Sequence, residues 1–64
     1  MKIKNASFFE SGGNPNLNVT IEQELEGKTW ILTKSCSGDT ANDIWGKWGT
    51  NNDDEIIALV LALP

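Results

Sequence analysis

The chain reads as an α+β domain rich in β structure, and three observations predict it. Residues 17–35 alternate apolar and polar side chains around a two-residue Glu26-Gly27 turn. Residues 1–10 form another β-favouring stretch, cut off by a segment dense in Gly, Pro and Asn. The last third then changes character, with helix-start residues ahead of apolar ones. The expected architecture is a three-stranded antiparallel meander, with strands at about 2–9, 17–25 and 28–35. A short helix near 40–48 and an apolar C-terminal helix over 53–63 follow, all in a single domain, 1–64. The alternative is an all-β chain in which 55–63 is a further strand.

The strand over 2–9 carries Ile3 and one of Phe8 or Phe9 inward, with Lys2, Lys4 and Ala6 outward. Its alternation fails at the Phe pair, which predicts a bulge or a strand end there. Ser11-Gly12-Gly13-Asn14-Pro15-Asn16 reads as the connecting loop.

The hairpin carries the clearest signal. Leu17, Val19, Ile21 and Leu25 point one way; Asn18, Thr20, Glu22, Glu24 and Glu26 point the other. Taking Glu26-Gly27 as the turn sets Leu25 opposite Lys28, Gln23 opposite Trp30, Ile21 opposite Leu32 and Val19 opposite Lys34. Trp30 and Leu32 thereby join Val19 and Ile21 as the expected core floor. A slip of one residue would set them beside the glutamates, so burial should resist it.

Thr40 is a candidate helix cap, with Asp43 three residues on as a weak capping box. Ile44, Trp45 and Trp48 follow at near-helical spacing, and Gly49 is the expected stop. The segment after Asn52 fits either type. As a helix, Asn52 caps it, Glu55 completes a capping box, and Asp53, Asp54 and Glu55 suit the positive N-terminal end. On that reading Asp54, Glu55, Ala58 and Ala62 share one side, and bulky residues cover the rest. Such a helix needs neighbours on several sides, so it is either the centre of the core or a subunit interface.

Composition excludes several kinds of chemistry. There are 64 residues, nine acids against five lysines, a net charge of −4, no arginine, no histidine and one cysteine. Tight phosphate and guanine contacts favour arginine on a basic surface, so direct nucleic-acid binding is not expected. One cysteine without histidine makes neither an internal disulfide nor a structural zinc site. Chains this short often need a staple or a partner, and association with another protein or with itself fits best. Met1-Lys2-Ile3-Lys4 leads into polar residues rather than a signal sequence, and the apolar run 56–63 is too short to span a bilayer. A cytoplasmic chain with no membrane partner is the expectation.

Candidate sites are few. Cys36 lacks a histidine to activate it and is expected to be an inert strand-end residue. Asn51, Asp53 and Glu55 recur like oxygen ligands in some calcium loops but lack the loop's glycine, and capping explains them. No catalytic residue, cofactor or metal ligand is therefore assigned. Glu22, Glu24 and Glu26 form an acidic face: a solvated one on the ordinary reading, a mimic of a basic site's ligand on the sharper one. Trp45 and Trp48 close the core or, if exposed, anchor a partner or stack on a sugar. With Ile57, Leu59 and Leu61 they are the candidate interface residues.

The expected function is a small acidic, non-enzymatic module for protein binding or self-assembly. The alternatives are an acidic inhibitor of a nucleic-acid-binding protein and a carbohydrate-binding module using the tryptophans.

Overall fold

Three antiparallel strands, β1 (Lys2–Ser11), β2 (Asn14–Leu25) and β3 (Lys28–Ser37), form a meander with β2 in the centre. In the computed structural model, which describes residues 1–64, helix α1 (Gly38–Gly46), a 3-10 turn (Lys47–Gly49) and helix α2 (Asp53–Leu61) follow. The α+β, β-rich class is therefore the observed one, and the C-terminal segment is helix rather than strand.

The β2–β3 register is the expected one, from Leu25 opposite Lys28 to Val19 opposite Lys34. Glu26 and Gly27 both lie in the left-handed region, with φ of 55° and 76°. That conformation matches the twist of the flanking strands; glycine adopts it freely, glutamate at a cost.

The first connection is shorter than the sequence suggests. Only Gly12-Gly13 turns, again with two positive φ values, and the predicted loop residues Asn14, Pro15 and Asn16 belong to β2. Proline is tolerated there for a geometric reason. Ser11 and Asn14 flank the turn and exchange backbone bonds, so the next pair, Glu10 and Pro15, is a non-bonded one. The missing N–H of Pro15 points away from β1, beyond the last paired residue of β3.

The irregularity of β1 also sits elsewhere than expected. Ile3 pairs with Ile21 and Asn5 with Thr20, leaving Lys4 as the extra residue of a bulge. One inserted residue reverses the phase of the strand. Ala6, expected to face out, therefore packs against the core with Ile3 and Phe8, while Phe9 faces the open side.

The helices cover one side of the sheet. Leu17, Val19 and Ile21 of β2 form its buried centre, met by Ala41 and Ile44 of α1 and by Ile56, Ile57 and Val60 of α2. α1 lies against β2 and β3, and α2 against β1. The entry into α1 differs from the prediction. The helix starts at Gly38, not Thr40, and Ser37 in the cap position makes no side-chain bond. Gly38 has φ +68°, which turns the chain sharply out of β3; the change of direction, not a hydroxyl cap, sets this start. α1 then ends at Gly46 and tightens into the 3-10 turn, whose last residue is Gly49.

The start of α2 is the predicted capping box. Asn52 Oδ1 accepts from the Glu55 backbone N–H at 2.9 Å, and Glu55 Oε1 accepts from the Asn52 N–H at 3.3 Å. Asp54, Glu55, Ala58 and Ala62 are all exposed, as the helical reading requires. Past the helix, Lys34 Nζ donates to the Leu63 carbonyl at 2.9 Å and holds the C-terminal end over β3. A cation beside the last turn also suits the negative end of the helix.

Candidate functional site

A 12-residue strand is about 40 Å long, whereas a nine-residue helix is about 14 Å. The domain measures 42 × 24 × 19 Å, so its long axis is essentially β2, and the helices cover only part of it. They sit over the end carrying Leu17, Val19 and Ile21. β1 begins at Lys2, opposite Glu22. Beyond that pair, β2 and β3 continue as a bare two-stranded projection to the Glu26-Gly27 turn.

This projection and its root display apolar side chains on both faces. Leu25 and Trp30 lie on the helix-side face of the projection; at its root Leu32, opposite Ile21, shares that face, and Ile31, opposite Glu22, lies on the other. Their exposures are 53%, 56%, 44% and 50% respectively. Trp30 and Leu32 are therefore not part of the core floor, as alternation alone suggested. They have the right facing, but Trp30 lies on the uncovered projection and Leu32 on the edge strand beside Ile21. The signal that would have found this lies in element lengths: two short helices cannot roof so long a hairpin.

The predicted interface residues divide. Ile57 is buried in the core, Leu59 is half-buried and packed on it, and Leu61 is exposed near the end of α2. Trp45 and Trp48 fall on successive elements, α1 and the 3-10 turn, rather than on one helix. Trp45 stacks on Phe8, with centroids 5.2 Å apart and planes 3° from parallel; Trp48 lies 5.2 Å from Trp45, tilted by 41°, and packs against the core. These three rings form a tier at the covered end of the sheet, with Trp45 still partly open to solvent.

Glu22 and Glu24 share the open face, where Lys2 Nζ lies 3.9 Å from the Glu22 carboxylate. With Met1 and Lys2 they line an open cleft of about 300 Å³ at the root of the projection. Glu26 leaves this row because it occupies the turn. Apart from Phe9 and Ile31, the rest of the open face is polar, with Thr20 and Thr33 hydroxyls 3.2 Å apart and Ser35 donating to Asn18 at 2.6 Å.

Cys36 is half-buried and packs against the core, and burial pushes its thiol above the ordinary pKa. Both carboxylate oxygens of Glu55 are engaged, one with Asn52 and the other as acceptor from Asn51 Nδ2 at 3.2 Å. No three His, Cys, Asp or Glu side chains gather as a metal-holding group. No helix is long and apolar enough to cross a membrane. No family model, curated protein or solved structure matches the chain.

Proposed function

We infer that this chain is a small acidic, non-enzymatic module that binds another protein or itself through the bare β2–β3 projection. The observation that carries the reading is the exposure of Leu25 and Trp30 on the protruding hairpin, with Leu32 beside them on the same face at its root. Large apolar residues scattered singly over a surface need no explanation, but a contiguous group marks an interaction site. Tryptophan is also the residue type most enriched among binding hot spots. Against an enzyme stand the lack of histidine and a Cys36 thiol that burial keeps protonated. A cytoplasmic setting belongs to the same proposal.

The test is a triple variant, Leu25→Ser, Trp30→Ser and Leu32→Ser, with circular dichroism to confirm the fold. Sedimentation velocity and affinity capture from the native host would then compare it with the original chain. The reading expects the original chain to self-associate or retain a partner, and the variant to lose both. A variant that keeps every association would refute it.

A second reading rests on Glu22 and Glu24 around their cleft, as an acidic surface for a basic site on a nucleic-acid-binding protein. Its mark is salt sensitivity. Binding of that kind weakens as ionic strength rises, whereas apolar docking does not. The carbohydrate reading has less support, because Trp45 is already engaged by the rings of Phe8 and Trp48.

A further inference from the structure

The two edges of the sheet differ in how they are protected. β1 carries a bulge at Lys4 and places Lys2 and Lys4 along its exposed edge, devices that discourage pairing with another strand. β3 has neither bulge nor proline over its 10 residues, and its centre, Thr29-Trp30-Ile31-Leu32-Thr33, is uncharged and β-favouring. Its two lysines, Lys28 and Lys34, stand outside that centre, so the middle of this edge is unguarded, and it borders the apolar projection.

Its open hydrogen-bonding groups can be identified. Leu25 and Lys28 flank a two-residue turn and exchange backbone bonds, so Trp30, Leu32 and Lys34 also bond to β2. The N–H and C=O groups of Thr29, Ile31, Thr33 and Ser35 therefore face outward.

We propose that β3 pairs antiparallel with β3 of a second copy, about a two-fold axis at Leu32, so that two three-stranded sheets become one continuous sheet. This deepens the reading above, on which it rests, by naming the partner and the register. Ile31 and Thr33 of one copy exchange bonds with Thr33 and Ile31 of the other, and Thr29 does so with Ser35. Leu32 meets Leu32 in a non-bonded pair, where side chains approach most closely. Trp30 lies across from Lys34, whose apolar stem suits an aromatic face while its ammonium stays on the Leu63 carbonyl.

Charge selects this register. A shift of two residues one way sets Lys28 against Lys34 twice, a like-charge pair at each end. A shift the other way sets Leu32 against Lys34 and separates the two leucines. Antiparallel pairing also lays the bare half of each hairpin beside the helix-covered half of its partner. There the Lys34–Leu63 bond holds the end of α2, and Leu61 is exposed.

Cysteine crosslinking tests the register. In a Cys36→Ser background, Leu32→Cys is expected to form an intermolecular disulfide under mild oxidation, while Ile31→Cys and Thr33→Cys are not. Leu32→Lys is expected to weaken dimerisation by about a hundredfold through like-charge contact at the axis, and an equimolar mixture with Leu32→Glu to restore it. Thr33→Pro removes an outward N–H without touching the β2 ladder, and is expected to give a folded monomer. Because each copy carries −4, added salt is expected to tighten the dimer.

A chain that sediments as a monomer at millimolar concentration would overturn the pairing, as would a dimer that survives Thr33→Pro. If such a monomer still captured a host protein through Trp30 and Leu32, the pairing alone would fall and the docking function would stand. Loss of both would remove both.

Discussion

The two halves of the β2–β3 hairpin share one register and one alternation, yet they live in different environments. Near the Gly12-Gly13 end, Leu17, Val19 and Ile21 are almost wholly buried beneath α1 and α2. Near the Glu26-Gly27 end, Leu25 and Trp30 point to the same side and remain about half exposed. Nothing in local chemistry separates them, since both are large, apolar and correctly phased. The difference is cover. Strand periodicity assigns a side chain to a face, and a second layer decides whether that face is dry. One half of the sheet is thus dry and the other meets solvent.

This contrast can be broken most strongly at the covered end. Ile56→Ala removes a fully buried side chain between sheet and helix, and is expected to cost about 2–5 kcal/mol. In a chain this small that is enough to unfold much of the population, as a urea or thermal melt would show. At the bare end, Trp30→Ala removes a larger side chain but is expected to shift the melt far less, by about 0.5 kcal/mol. Its effect should appear instead in association, measured by sedimentation. Equal destabilisation by the two changes would mean that the projection is covered in the isolated chain.

Smaller changes sharpen the picture. Asn52→Ala removes the cap of α2 and is expected to cost about 1 kcal/mol, again read from the melt. Glu26→Asn relieves a left-handed residue of its side-chain penalty and is expected to gain about 0.5 kcal/mol. The smallest effect concerns Cys36. Burial raises its folded pKa, so the folded state holds the thiol proton more tightly than the unfolded chain. Stability is then complete below the ordinary thiol pKa of about 8.5 and declines as pH rises through the higher folded value. Melts between neutral pH and the alkaline range should show a decline that Cys36→Ser lacks, and alkylation at neutral pH should be slow.

The covered end shows why some of these elements were legible. The capping box at Asn52 and Glu55 joins backbone and side chains within one turn, so sequence order alone brings its partners together. The Glu26-Gly27 turn has the same local character and carries the β2–β3 register with it. The bulge at Lys4 was hidden because Ala6 and Phe9 fit either phase of a strand. Only pairing with β2, with Phe8 opposite Leu17 and stacked on Trp45, chooses between them. The start of α1 differs from the expected one because the turn out of β3 is made by Gly38, whereas Thr40 carries the stronger cap signature. The bare projection, where the candidate site lies, differs from the expected core floor for a similar reason: its facing is local and its cover is not.

By itself, then, the amino-acid sequence determined the hairpin register, the capping pair at Asn52 and Glu55 and the β-rich class. Each rests on neighbours a few residues apart or on a strict period of two. Tertiary structure alone decided how far the helices reach along the sheet, which phase β1 adopts and which edge is left unguarded. Those outcomes depend on the lengths of elements laid against one another and on which apolar surfaces remain without a partner, and no local pattern encodes them.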